Sequence, residues 1–262
     1  MTSPRDSSYA PVAVVTGASS GIGKAVALKL AKDGFDVVVH AGSNHTAAQQ
    51  VVDEIASLGQ KAIAMICDFA NSNGLDGFVQ ACWDWQGEVT SWCNIAGVDV
   101  LTGAAAKWSF EAKLDAVLQI DVVATLLLSR AAGKKMMAAF DHDQKVRSII
   151  NVGWDQAAQG MAGESGEMFA TSKGAIMAMS KSLAQTMAPA VRVNCIAPGW
   201  IQTKWGQQAS ETWQRQAAAD ALCNRWGQPE DVAAMASFLS SPDAGFINGQ
   251  IMNVNGGFRY TR

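Results

Sequence analysis

Val12-Ala13-Val14-Val15-Thr16-Gly17-Ala18-Ser19-Ser20-Gly21-Ile22-Gly23 is the stretch on which the fold turns. Four β-branched or small apolar residues read as a strand with both faces buried. Three glycines follow at once, and an amphipathic stretch from Gly21 to Asp33 reads as a helix, with Gly34 as its stop. Each glycine answers a different demand. Gly17 permits a tight turn, Gly21 lets a backbone approach a ligand, and Gly23 lets helix and strand pack closely. A helix N-terminus that begins on such a turn presents unpaired N–H groups and a positive dipole end to an anion, here the pyrophosphate of a dinucleotide.

The same alternation continues along the chain. Asp36–His40, Lys61–Cys67, Ser91–Ile95, Val146–Val152, Val191–Ile196 and Gln250–Val254 read as strands. Ala47–Leu58, Gly74–Trp85, Phe110–Ala139, Glu167–Met187 and Pro229–Leu239 read as helices between them. Near-continuous apolar strands alternating with helices predict a parallel, doubly wound sheet covered on both faces, in one domain spanning 1–262. Residues 1–10 read as a flexible arm. Residues 197–225 carry no strand signal and many Trp and Gln, which predicts an irregular lid over a substrate.

Composition bounds the partners. The 262 residues are 49% hydrophobic and 16% charged, with a net charge of −3. There is no basic surplus for nucleic acid and no Lys/Arg run for an anionic membrane. The longest apolar run, Val122–Leu128, is too short to span a bilayer, and Met1–Pro11 lacks an apolar core of signal-peptide length. Five scattered cysteines without a Cys-x-x-Cys pair argue for a reducing, cytoplasmic setting, and His40, His45 and His142 are not spaced as metal ligands, so no metal is expected.

Several segments together resemble the short-chain dehydrogenase/reductase family nearly end to end. The glycine turn is complete. Cys67-Asp68-Phe69 resembles the family's adenine-binding segment, and Asn94-Ile95-Ala96-Gly97 its Asn-Asn-Ala-Gly strand end with one Asn replaced. Asn194–Gly199, with Pro198 and Gly199, resembles the turn beside the nicotinamide, followed by Ile201 and the family's Thr at Thr203. Arg225–Val232 and Asn248–Gly257 are similar to its C-terminal signatures. The resemblance implies a Rossmann-like single domain, NAD(P)(H) as cofactor, and a small-molecule carbonyl or alcohol as substrate. It also implies a homo-oligomer, a dimer or tetramer, packed through the two long helices.

Carried over residue by residue, the resemblance implies cofactor contacts from Gly17, Ser19, Ser20, Gly21, Ile22, Gly23, Asp68, Phe69, Asn94, Ala96, Gly97, Lys173, Pro198, Gly199, Ile201 and Thr203. Where NAD-preferring members end the second strand with an acid, this chain has Ala41, so NADP(H) is somewhat favoured over NAD(H). No Arg follows, and His40, Ser43, Asn44 or His45 are the groups that could bond a 2′-phosphate.

The family's four chemical positions are mostly altered. Lys173 matches its Lys. The proton-donating Tyr falls at Phe169, the Ser at Trp154 with Gly153 and Asp155 as alternatives, and the Asn at Asp121. A phenyl ring has no exchangeable proton and an indole only one N–H. The two tyrosines, Tyr9 and Tyr260, stand near the termini. Asp121, which interrupts an apolar helix, and Asp155 are therefore the candidate replacement acids. Glu164 and Glu167 read as helix-start carboxylates. Trp154, Trp200, Trp205, Trp213 and Trp226 fall around the expected mouth, with Trp213 and Trp226 read as packed lid residues; Trp83, Trp85, Trp92 and Trp108 read as structural. Three functions stay open at this point: an oxidoreductase with an altered proton path, a nicotinamide-binding protein without turnover, or a lyase or epimerase using carboxylates.

Overall fold

The computed structural model describes residues 10–143, 145–204, 206 and 209–258. The arm expected over 1–10 therefore lies outside the described residues apart from Ala10, as do Tyr9, Trp205 and Tyr260. Seven parallel strands form one sheet in the order β3-β2-β1-β4-β5-β6-β7. They are β1 (Val12–Val15), β2 (Asp36–Ala41), β3 (Ala62–Ile66), β4 (Val89–Asn94), β5 (Arg147–Val152), β6 (Val191–Pro198) and β7 (Ile251–Val254). The inner strands are buried almost throughout, polar side chains such as Asp36, His40 and Arg147 included, whereas β3 and β7, at the edges, are partly open.

Helices cover both faces. On one face α1 (Gly21–Lys32), α2 (His45–Ser57) and the helix Pro229–Ser240 bury Val26, Leu30, Val51, Ile55, Val232 and Leu239 against Ala13, Val15, Val37 and Val39. On the other, α3 (Leu75–Gln86), the helix Phe110–Asp143 and α6 (Glu164–Met187) bury Phe78, Leu128, Met136, Leu183 and Met187 against Val14, Val38, Ile149 and Val193. The alternation of β1 and β2 side chains between the two clusters is the period of two expected of strands. Nearly every predicted element appears within a few residues of its expected bounds.

Two differences matter. The helix from Phe110 is built as α4 (Phe110–Val117), a π-helical turn Leu118–Ala124, and α5 (Thr125–Asp143). At 34 residues it is long and apolar enough to cross a membrane, yet Ala124, Leu128, Ala132 and Met136 lie in the protein core. The second difference is the expected irregular lid. Ala197 and Pro198 close β6, and residues Glu211–Asp220 form a helix capped by Ser210, whose hydroxyl accepts the Trp213 N–H at 3.3 Å. Isolated bridges Ile201–Gly227 and Ala221–Phe258 tie the segment down near each end.

The order of the strands reverses between β1 and β4, which opens a crevice beyond their C-terminal ends. Gly17 has φ +66°, and a side chain there would meet Ala96 Cα at 2.7 Å. A side chain at Gly23 would meet the Gly17 carbonyl oxygen at 2.2 Å. The turn is held from both sides. The Thr16 hydroxyl accepts the N–H groups of Ile95 and Ala96 at 3.0 Å each, and His40 Nδ1 accepts the Gly17 N–H at 3.1 Å.

His40 is buried, stacked on Phe69 with ring centroids 4.1 Å apart, and its Nε2 donates to the Cys67 carbonyl at 2.9 Å. Burial pulls its pKa down to about 4, the Cys67 carbonyl opposing this in part. Protonation would place a second N–H against that of Gly17. The unfolded ring titrates near 6.5, so its contribution is complete above that pH and is lost as pH falls towards 4. Wild type should lose about 3 kcal/mol of stability over this window, at about 1.4 kcal/mol per pH unit. Chemical denaturation at stepped pH should show this slope, and His40→Asn should flatten it.

Candidate functional site

One cleft of about 1100 Å³ lies along the C-terminal edge of the sheet. At one end it is bordered by Ser19, Ser20, Gly21, Ile22 and Gly23 at the start of α1, with Ser43, Asp68 and Phe69 beside them. Ser20 N-caps α1 without a side-chain bond, and no acid stands in the helix's first turn. Gly21, with φ +53°, has only Thr203 Cγ2 near the place of a Cβ, at 3.7 Å. The first-turn N–H groups therefore face open space, which suits a phosphate. At the other end Ala96, Gly97, Pro198, Gly199, Ile201 and Thr203 converge with Trp154, Phe169 and Lys173.

Four residues expected at the site are engaged by neighbouring structure. Asn94 is buried in a polar network: its amide nitrogen donates to Asn151 Oδ1 at 2.8 Å and Ser129 Oγ at 2.9 Å, and its oxygen accepts the Trp92 indole N–H at 2.8 Å. It braces β4 against β5 and leaves the cleft to Ile95 and Ala96. His40 borders the cleft, but both ring nitrogens are engaged, so it is not available to a 2′-phosphate. Asn44 caps α2 by accepting the Ala47 N–H at 3.0 Å. Asp155 faces a small rear pocket with Trp200, Ala221 and Asn255 rather than the cleft. Its Oδ2 accepts from Asn255 at 3.0 Å, and burial pushes its pKa above the ordinary aspartate value.

The three alternatives for the family's Ser position separate cleanly. A side chain at Gly153 would meet Met177 Cγ at 2.6 Å, Asp155 turns away, and Trp154 borders the cleft. Trp213 also borders the cleft, edge-on to Trp200 at 5.2 Å, so it is a wall residue rather than lid packing. Trp226 is packing: it is buried, and its indole donates to the Gln214 carbonyl at 2.9 Å. Trp108, expected to be structural, is exposed.

Beside Phe169 the cleft wall holds a buried ion pair. Lys173 Nζ donates to Asp121 Oδ2 at 2.8 Å, and Asp121 Oδ1 accepts the Val98 N–H at 3.0 Å. The Asp121 side chain is 3% exposed and that of Lys173 17%. The π-helical turn carries Asp121 towards α6, and Gly97 leaves room, since a Cβ there would sit 3.1 Å from Asp121 Oδ2. Ser165, Phe169 and Lys173 repeat every four residues along α6, and all three line the cleft. The sequence reading missed Ser165; its signal was that spacing. It also missed Met161, Asp99 and Lys204 on the walls. Among the described residues no cluster of metal-ligating side chains is present.

A family model described as enoyl-(acyl carrier protein) reductase matches residues 17–259. The chain belongs to the short-chain dehydrogenase/reductase family. It is 34% identical to a 3-oxoacyl-[acyl-carrier-protein] reductase of Synechocystis, over 95% of this chain and 96% of that protein. It is 32% identical to the short-chain reductase protein NovJ of Streptomyces niveus, over 98% and 99%. Among solved structures it is similar to a 7α-hydroxysteroid dehydrogenase complexed with NADH and 7-oxo glycochenodeoxycholic acid, with a TM-score of 0.84, 30% identity and coverage of 95% and 94%. Its relatives in this family are oxidoreductases.

Removing Lys173 would leave the buried Asp121 carboxylate with the Val98 N–H alone. Breaking one side of a buried pair costs about 3–5 kcal/mol, and the partial opening of Lys173 to the cleft puts this one at the lower end. Lys173→Met should lower the urea unfolding free energy by about 3 kcal/mol. Asp121→Asn, which keeps an acceptor for Val98, should cost less.

Proposed function

We propose that this chain is an NAD(P)(H)-dependent oxidoreductase acting on a small carbonyl or alcohol, in which position 169 handles no proton. One observation carries this reading. A single cleft joins the open N-terminus of α1 to the face of α6 that bears Phe169 and Lys173. The residues present fit a dinucleotide: the backbone of Ser19–Gly23 would hold the pyrophosphate, Asp68 and Phe69 would flank the adenine, and Ala96, Gly97, Pro198, Gly199, Ile201 and Thr203 would border the nicotinamide. When bound, the nicotinamide supplies or accepts a hydride.

NADP(H) is favoured over NAD(H) on this reading. The acid that would bond the ribose hydroxyls and repel a 2′-phosphate is absent, because β2 ends in buried Ala41. Gly42 beyond it faces open space and Ser43 lines the cleft. The chain is further read as cytoplasmic, in keeping with five free cysteines. It is read as a homo-oligomer, dimer or tetramer, in keeping with Val123 and Leu127 left exposed on the long helix.

Phe169 and Trp154 also favour a second reading, a nicotinamide-binding protein without turnover, since a positioned acid contributes about 10²–10⁴-fold. Calorimetry separates the readings from the outset. NADPH should bind, and more tightly than NADH; no heat with either nucleotide, oxidised or reduced, would reject both. Nicotinamide absorbance over a broad carbonyl and alcohol panel then distinguishes an enzyme from a binder. Phe169→Tyr alone should leave generic carbonyl reduction within about tenfold of wild type, because the Trp154 wall remains and a neutral phenol restores only one part of an acid–base system.

A further inference from the structure

Among the described residues, seven ionisable side chains line the cleft: His40, Cys67, Asp68, Asp99, Asp121, Lys173 and Lys204. The first three lie at the adenine end. Asp99 turns back on its own loop, accepting the N–H groups of Leu101 at 2.9 Å and Thr102 at 3.0 Å. Lys204 stands on the opposite wall, exposed, in the segment after β6. Beside Phe169 only Lys173 and Asp121 remain.

We propose that Lys173 hands the proton to the nascent alkoxide and that Asp121 positions it. This rests on the oxidoreductase reading above. In the reducing direction the carbonyl carbon gains a hydride from reduced nicotinamide, which is thereby oxidised. The C=O π pair passes to oxygen, and that oxygen takes one proton from the Lys173 ammonium. Lys173 is left as a neutral amine and regains its proton from water entering the cleft.

The exchange of acids is chemically economical. An ordinary lysine ammonium titrates at about 10.4 and a phenol at about 10, so the two are acids of similar strength. Aliphatic hydroxyls such as Ser165 are far weaker. Asp121 contributes direction and charge. It is fixed by the Val98 N–H and holds the Lys173 ammonium at 2.8 Å. Other groups facing Lys173 do not compete. Cys195 from β6 has its thiol pushed up to about 12 by burial and stays neutral, and Asp155 beyond β5 is directed at Asn255. Phe169 and Met177 on α6 carry no charge.

Arginine tests the proton apart from the charge, because it can pair with Asp121 but does not give up its proton. Wild type, Lys173→Arg, Asp121→Asn and Asp121→Glu would be compared with NADPH and a panel of aldehydes, ketones and 1,2-diketones led by phenanthrenequinone. NADPH affinity is measured by calorimetry. KM for the substrate is measured alongside kcat for each variant. We expect Lys173→Arg to keep NADPH affinity within about threefold while kcat falls at least ~100-fold. Asp121→Asn should lower kcat at least ~10-fold with KM and NADPH affinity within about threefold, as a mispositioned donor does, and Asp121→Glu should restore kcat. A Lys173→Arg enzyme of near wild-type kcat, or an Asp121→Asn enzyme of unchanged kcat, overturns the assignment alone. Wild type that binds NADPH and reduces nothing on the panel overturns the oxidoreductase reading, and this assignment with it.

Discussion

The backbone of the β1–α1 turn runs so close to the exit of β4 that a single methyl group at Gly17 would come within 2.7 Å of Ala96 Cα. That approach sits where the strand order reverses, and the two halves of the sheet are joined there. The Thr16 hydroxyl bonds across the join to Ile95 and Ala96, and His40 brings β2 into the same knot through Gly17. The consequences run outward. With the turn fixed, the uncapped start of α1 is aimed into the crevice, and the exits of β4 and β6 form the crevice's other border. A side chain at either Gly17 or Gly23 would push the turn off its neighbours and misdirect the helix that follows.

Much of this was legible in the sequence, for a physical reason. Buried parallel strands must be apolar on both faces, and glycines mark where backbone meets backbone, so strands, main helices and the phosphate turn were visible without a structure. The misses share a cause as well. The helix Glu211–Asp220 is polar and buries only Ala217, so it carries no hydrophobic period to read. The π-helical turn at Leu118–Ala124 is a change of hydrogen-bond register with no residue type that announces it. For Asn94, His40 and Asp155, position in the chain correctly placed them near the strand ends. It did not say which partners each side chain takes: Asn94 and Asp155 turn away from the cleft, and His40, on its border, engages both ring nitrogens with neighbouring backbone.

The opposite wall answers a different constraint. A lysine ammonium beside phenyl and indole rings has lost much of its water, and an uncompensated charge there is expensive. Asp121 removes that cost, but only because two backbone features admit it: the π-helical turn that carries it inward and the bare Cα of Gly97. The Val98 N–H then satisfies the second carboxylate oxygen.

On the oxidoreductase reading proposed above, Phe169 and Asp121 act as one arrangement, with the π-helical turn bringing the carboxylate to the lysine. A phenol at 169 could share the charge of Lys173 by hydrogen bonding; a phenyl ring cannot, and on that reading the carboxylate holds the lysine instead. If Asp121 served only as a structural counter-ion, any packing that neutralised or removed the lysine would serve equally, and a Met at 173 would be the simpler solution for an apolar wall. Retaining a paired ammonium, partly open to the cleft, is the more costly arrangement in a water-poor site. Its cost makes sense where the ammonium meets a ligand: through the sugar of a dinucleotide, through the oxygen of a substrate, or through both in turn.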